Sequence, residues 1–157
     1  MNPNIGLEEA NRKAVSDKLA ELLANEYVLS LKTRKAHWNV QGIDFADKHK
    51  LFEEQYNELS DIVDEVAERI RILGFFPPAT MKQFSELSDL QQTTVIVTDS
   101  KVLVEKLLTA HERIIKQLRG YIPEFSEKYN DEGSADFAIA LMQTHEKAAW
   151  FLRSHLG

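Results

Sequence analysis

The 157-residue sequence contains no cysteine, only four prolines and only six glycines. The absence of cysteine excludes disulfides, thiolate metal sites and cysteine nucleophiles. The glycine and proline content excludes collagen-like and low-complexity chains. No apolar run reaches the roughly 18 residues that a membrane span requires. A compact domain remains, because 43% of the residues are hydrophobic and the length suits one buried core.

Basic residues are also in the minority. The chain has 19 Lys and Arg against 25 Asp and Glu, for a formal net charge of −6. This balance disfavours a nucleic-acid partner, which needs a basic surface, and favours cations. The first 30 residues contain no apolar segment suited to a secretory signal. We therefore expect a cytoplasmic protein with one domain over residues 1–157, of which 1–10 form a short tail.

Apolar residues recur at spacings of three and four along four long segments, which predicts amphipathic helices. The first begins within 7–16 and ends near 37, and the others cover about 45–73, 93–121 and 134–155. A short helix is predicted over 80–90. The β-branched run 93–98 has no partner strand and is interpreted as the start of the third long helix. The chain is thus predicted to be an all-α four-helix bundle with a short helix in its long middle connection.

The ends of the second long helix carry recognisable signals. Asp44 is positioned to cap its start. Gly74 is expected to end it, because glycine adopts the left-handed conformation found after many helices, and two prolines follow.

The second long helix carries two stripes. Seven apolar residues fall on one arc of about 100° and are expected to face the core: Phe52, Tyr56, Leu59, Val63, Val66, Ile70 and Leu73. A second arc holds His49, Glu53, Asp64 and Glu68, at spacings of 4, 11 and 4. The simplest interpretation of this second stripe is a solvated acidic face.

Symmetry offers another interpretation of the acidic stripe. Glu53 and Asp64 lie about 16 Å apart along the helix, too far to share one metal ion. An antiparallel second copy, related by a two-fold axis between positions 58 and 59, would bring His49 opposite Glu68 and Glu53 opposite Asp64. Each of two equivalent sites would then combine one imidazole with three carboxylates. Such a donor set suits Fe(II), Mn(II) or Zn(II). The Glu-x-x-His motif of intrachain di-iron bundles is absent from the sequence.

Three stretches of the chain resemble the Dps family of ferritin-like proteins, named as DNA-binding proteins from starved cells. They read KAHWNVQG at 35–42, HKLFEEQY at 49–56 and DEVAERIRILG at 64–74, with further similarity at 131–137 and 145–150. The resemblance implies a ferritin-like bundle and a dodecameric shell built from two-fold dimers. It also implies oxidation of Fe(II), preferentially by hydrogen peroxide rather than oxygen, and storage of a ferric mineral.

The resemblance also implies roles for particular residues. One subunit would supply His37, His49 and Glu53 to the iron site, and its two-fold mate would supply Asp64 and Glu68. Many family members have Asp where this chain has Glu53, which leaves open whether each site holds one iron or two. Zinc or another divalent metal is an alternative occupant.

Further residues match features around the family's site. Trp38 and Trp150 are either core residues or aromatics near the iron that intercept radicals. Glu127, Glu132 and Asp136 match the acidic lining of a three-fold pore for iron entry, or else form an acidic loop and an N-cap. The remaining histidines, His111, His145 and His155, receive no role.

Two other functions stay open. One is a nucleoid-binding protein that protects DNA by physical association. Residues 1–10 contain no Lys or Arg and include two Glu, and twelve chains of −6 would carry about −72 (12 × −6), so we expect no tight DNA binding at neutral pH. The other is a helical scaffold without chemistry.

Overall fold

A computed structural model describes residues 3–157. The described residues form helices and no β-strand, in the order α1 (Glu9–Asn39), α2 (Phe45–Ile72), α3 (Met81–Leu87), α4 (Ser100–Pro123), a π turn (Glu124–Lys128) and α5 (Glu132–Ser154). Helix α1 packs against α2, α4 packs against α5, and α3 lies on α1. The predicted all-α four-helix bundle with a short helix in the middle connection is confirmed. Within the described residues, no helix is long and apolar enough to cross a membrane.

The apolar stripe of α2 faces the core, as predicted. Five of its seven residues are buried, and Tyr56 and Val63 are half-buried. The buried apolar residues of the four long helices join in one cluster that also contains Phe84 of α3. This continuity means that one core stabilises every element of the bundle.

Gly74 ends α2 as predicted. It has a φ of +96°, and the amide of Phe75 donates to the carbonyl of Ile70 at 3.2 Å, which closes the last turn. A Cβ at position 74 would lie 2.6 Å from Pro3. The buried Arg12 side chain also donates to the carbonyl of Leu73 at 2.7 Å. The end of α2 is therefore fixed against the start of α1.

The predicted helical start at residues 93–98 is wrong. These residues are in neither helix nor strand, and α4 begins only at Ser100, where Asp99 accepts a hydrogen bond from the amide of Val102 at 2.9 Å. Lys35 Nζ donates to the carbonyls of Thr93 and Val95 at 2.7 and 2.9 Å, and Lys32 Nζ donates to that of Gln91 at 2.7 Å. Tertiary hydrogen bonds from α1 thus replace helical ones, in a run whose β-branched side chains disfavour a helix.

Asp44 occupies the N-cap position of α2 but makes no capping hydrogen bond with its side chain. Its carboxylate instead accepts a hydrogen bond from Ser100 Oγ at 2.8 Å and lies 3.3 Å from Lys48 Nζ. The hydrogen bond from Ser100 lowers the pKa of Asp44. Asp44 therefore joins the starts of α2 and α4, and the prediction that its side chain caps α2 is wrong.

Helix α5 begins two residues earlier than predicted, at Glu132. Asp131 caps it by accepting from the amide and hydroxyl of Ser134 at 2.9 and 2.5 Å. Arg69 of α2 donates to both partners, at 3.2 Å to Asp131 and 3.0 Å to Ser134. A Cβ at Gly133 would lie 2.8 Å from this guanidinium, so a glycine lets the two helices approach.

Candidate metal centre

The end of α1 and the start of α2 bring His37 and His49 together. Their rings stack with centroids 3.7 Å apart. Each Nδ1 contacts the backbone carbonyl of the other residue: His37 Nδ1 lies 2.7 Å from the oxygen of His49, and His49 Nδ1 lies 2.9 Å from that of His37. The two histidines therefore form a reciprocal pair.

This pairing determines which nitrogen of each ring is available. A carbonyl oxygen only accepts, so each Nδ1 must carry the proton and donate. The lone pair of each neutral ring then lies on Nε2, the atom through which such histidines bind metals. His37 is buried and His49 is half-buried. The arrangement therefore orients both imidazoles through their Nδ1 atoms and leaves both Nε2 atoms available to a cation.

Aromatic neighbours hold the histidine pair in place. The ring of Tyr56 meets that of His37 edge-on, with centroids 5.2 Å apart, and Phe45 lies 4.9 Å from His49. The guanidinium of Arg34 lies over the Tyr56 ring, 4.1 Å from its centroid, and donates to Ser60 at 3.1 Å. Rings in contact on several sides lose rotamer freedom, so the pair is preorganised for binding.

The three predicted carboxylates, Glu53, Asp64 and Glu68, are exposed on α2. Within residues 3–157, none of the three takes part in an ion pair. The described chain also brings no three His, Cys, Asp or Glu residues close enough to hold a metal ion. One chain therefore presents an oriented histidine pair and three carboxylates without a cation, but no closed coordination shell.

The other predicted residues lie on the surface. Trp38 is 65% exposed and Trp150 is 59% exposed, so the alternative that they belong to the core is wrong for the single chain. Glu127 lies in the π turn, and Glu132 and Asp136 lie in the first turns of α5; all three are exposed. Ser126 Oγ donates to Glu132 at 2.7 Å. These three acids therefore share one end of the bundle.

Two histidines that received no predicted role, His111 and His145, lie together in the core. His145 Nε2 lies 2.9 Å from the carboxylate of Glu26, and His145 Nδ1 lies 2.9 Å from Nδ1 of His111. All three residues are at most 2% exposed. His111 and His145 lie on inward positions of α4 and α5, but their pairing depends on how those helices pack.

A family model of the ferritin-like domain matches residues 16–157 of the chain. A DNA protection during starvation protein 2 of Bacillus anthracis is 34% identical over 92% of this chain and 98% of that protein. The chain belongs to the Dps family. The assignment agrees with the all-α bundle already described.

Two further similarities extend over nearly the whole chain. A low temperature-induced protein of a Nostoc species is 39% identical over 98% of this chain and 86% of its own length. The crystal structure of a Dps protein from Vibrio cholerae, a member of a broad superfamily of ferritin-like diiron-carboxylate proteins, superposes with a TM-score of 0.92. It is 29% identical and covers all of this chain and 98% of its own. The Dps bundle therefore accounts for the described chain from end to end.

Proposed function

We propose that this Dps-family protein stores and detoxifies iron by oxidising Fe(II) at sites shared between two subunits. The observation that carries the proposal is the reciprocal His37–His49 pair on a chain whose α2 also exposes three carboxylates, Glu53, Asp64 and Glu68, that form no ion pair within the described residues. Its ring-nitrogen orientation suits a divalent metal, and oxygen and imidazole donors without sulfur suit iron.

The site is completed by a second copy of the chain. His37, His49 and Glu53 come from one subunit, and Asp64 and Glu68 come from its two-fold mate. Bringing three carboxylates together at an interface is costly unless a cation balances them. Iron binding and subunit pairing therefore support each other. Zinc fits the same donors and is expected to compete.

The reaction consumes hydrogen peroxide in preference to oxygen. Two Fe(II) ions each lose one electron, the O–O bond of peroxide takes up both, and the oxygen atoms leave as hydroxide. Anionic oxygen donors stabilise Fe(III) over Fe(II) and so favour electron loss. Because both electrons enter one peroxide molecule, no hydroxyl radical is released. Trp38, exposed next to His37 in the chain, and the exposed Trp150 intercept radicals that form when a single Fe(II) ion outside the paired site reacts with peroxide.

Ferric product accumulates inside a dodecameric shell assembled from the two-fold dimers. Iron enters through three-fold pores lined by Glu127, Glu132 and Asp136. Three symmetry copies would form a ring of about nine carboxylates, whose field concentrates cations at the entrance. The hydrogen bonds from Arg69 to Asp131 and Ser134 fix the start of the helix that carries two of these acids.

DNA protection follows in this proposal from removing iron and peroxide, not from coating DNA. Relatives of the chain are named for DNA protection during starvation, but the net charge of −6 repels phosphate at ordinary salt. We expect no tight DNA binding at neutral pH. Retardation of plasmid DNA by submicromolar protein at low salt would instead favour the nucleoid-binding alternative.

Mixing two inactive variants tests the shared site. One carries His37→Ala and His49→Ala, and the other carries Asp64→Ala and Glu68→Ala. Each variant alone should lose peroxide-driven Fe(II) oxidation. After co-refolding at equal amounts, half of the dimers contain one copy of each variant. Each such dimer has one intact site out of two, so about a quarter of the wild-type activity should return. An intrachain site would give no recovery.

Gel filtration of the wild-type protein tests storage. After anaerobic loading with Fe(II) and addition of peroxide, iron in excess of the two-fold sites should co-elute at about twelve times 18.0 kDa. Iron in the salt volume, with protein at monomer or dimer size, would contradict storage in a shell.

A double Glu54→Ala and Glu58→Ala variant, whose changes lie on α2 outside the ligand set, is the matched control for the carboxylate variants.

A further inference from the structure

Three buried titratable side chains cross the bundle away from the candidate metal centre. Glu26 of α1 contacts His145 of α5, which contacts His111 of α4, each step at 2.9 Å. The outer atoms of this hydrogen-bonded triad, Glu26 Oε2 and His111 Nε2, have no hydrogen-bond partner within the described residues. A polar chain with unpaired ends destabilises a core relative to apolar side chains of similar size.

The number of protons that Glu26, His145 and His111 can hold together is limited by the geometry of their contacts. Two Nδ1 atoms 2.9 Å apart have room for only one hydrogen between them. The four ring nitrogens of His111 and His145 can therefore carry at most three hydrogens, one of which lies between the two Nδ1 atoms. A fourth proton would place two N–H groups face to face and leave a net positive charge in a dry core. Both consequences are strongly unfavourable.

Besides Glu26, the only buried carboxylate among the described residues is that of Asp131, about 21 Å along α5 from His145. The elements that pack most closely against α4 are α1, α5 and the π turn. The first two supply Glu26 and His145, and the charged residues of the π turn, Glu124, Glu127 and Lys128, begin about 20 Å along the helix axis from His111. The buried polar residues of α2 are the neutral Gln55 and Lys48, which contacts His155 about 15 Å along α5 from His145. Burial and the proximity of His145 hold the pKa of His111 well below its usual value.

We propose that the hydrogen bonds between Glu26, His145 and His111 form an acid-sensitive link between α1, α5 and α4, called the lock below. These hydrogen bonds hold near neutral pH and break when a further proton binds. In the unfolded chain both histidines accept protons below about pH 6.5. The folded chain accepts one proton fewer, so stability falls as the pH falls below that value. The lock makes the bundle, and any assembly built from it, weaken in acid.

Urea unfolding followed by circular dichroism between pH 7 and pH 5 tests the lock on the full-length, assembled protein at one fixed concentration. Wild type is compared with His111→Asn, which keeps a neutral hydrogen-bonding group, and with the exposed-histidine control His155→Asn. One excess proton corresponds to a tenfold change in the unfolding equilibrium per pH unit. We expect His111→Asn to lose this tenfold change of the unfolding equilibrium constant per pH unit and per chain. We expect His155→Asn to keep the pH dependence of the wild type.

A triple variant, Glu26→Leu with His111→Leu and His145→Leu, provides a second test if His111→Asn does not fold. The wild type should take up about one proton more per chain on unfolding at pH 5.5, measured with an indicator dye, than the triple variant. Equal proton uptake would overturn the proposal, as would parallel pH profiles for wild type and His111→Asn. Iron oxidation plays no part in these readouts, so they do not depend on the proposed function.

Discussion

The molecule contains two groups of histidines and carboxylates that are alike in composition and opposite in environment. In the pair His37 and His49, each Nδ1 donates to a backbone carbonyl, and neither Nε2 has a hydrogen bond within the described residues. In the core, His111 and His145 bond to each other and His145 bonds to Glu26, with at most 2% exposure. Residue type is therefore a poor guide to metal binding.

The two groups differ in which side-chain atoms have no hydrogen-bond partner. They also differ in whether those atoms can reach further metal-binding side chains. In the candidate metal centre, backbone carbonyls pair with one nitrogen of each histidine, and the three exposed candidate carboxylates of α2 form no ion pair within the described residues. In the core the side chains satisfy one another, so binding a metal there would require breaking both hydrogen bonds. The surface group is thus suited to bind a cation, whereas the core group is suited to hold protons.

The largest expected difference between the two groups is in stability. Glu26→Ala removes a fully buried carboxylate and leaves His145 without that partner, so the free energy of unfolding should fall by about 3–5 kcal/mol. Glu53→Ala removes an exposed carboxylate and should change it by about 0.5 kcal/mol or less. Urea unfolding of the two variants measures the contrast. Equal losses would show that burial does not separate the two groups.

The next contrast is in iron binding. His49→Ala should weaken Fe(II) binding by about 10- to 100-fold, because it removes a ligand and the carbonyl-paired partner of His37. His145→Asn should leave binding per folded chain unchanged, since that histidine lies outside the site. Anaerobic Fe(II) titration of both variants, corrected for the folded fraction, measures the difference. A comparable loss in His145→Asn would link the core group to the metal centre.

A smaller effect is expected from the aromatic contact at the metal centre. Tyr56→Leu removes the edge-on ring beside His37, a contact worth about 0.5–1.5 kcal/mol, so Fe(II) affinity should fall by about 2- to 10-fold. Tyr56→Phe keeps the ring and should behave like the wild type. If both variants lose affinity equally, the hydroxyl rather than the ring would be responsible.

The smallest expected effect concerns the length of one ligand. Glu53→Asp shortens the side chain by one methylene and reproduces the residue found in many Dps proteins. We expect the second equivalent of Fe(II) per site to bind a few-fold more tightly while the first is unchanged. Stepwise Fe(II) titration measures both. Unchanged binding of the second iron would show that ligand length does not limit the site.

Much of the bundle and the acidic stripe could be predicted from the sequence, because helical periodicity is a local property. The apolar face of α2 and its end at Gly74 follow from spacing and from glycine's freedom at positive φ. The start of α4 could not be predicted in this way. Lys32 and Lys35 of α1 donate to backbone carbonyls of the non-helical segment 91–95, and no local pattern encodes that contact between segments far apart in the chain.

The helical class, the Dps resemblance and the candidate ligands can be predicted from residue type and spacing alone. The partners of those residues depend on the tertiary structure. It oriented His37 and His49 through each other's carbonyls and buried His111 and His145 against Glu26. The physical reason is that hydrogen bonding and burial depend on contacts between segments far apart in the chain, whereas periodicity records only which side of a helix each residue occupies.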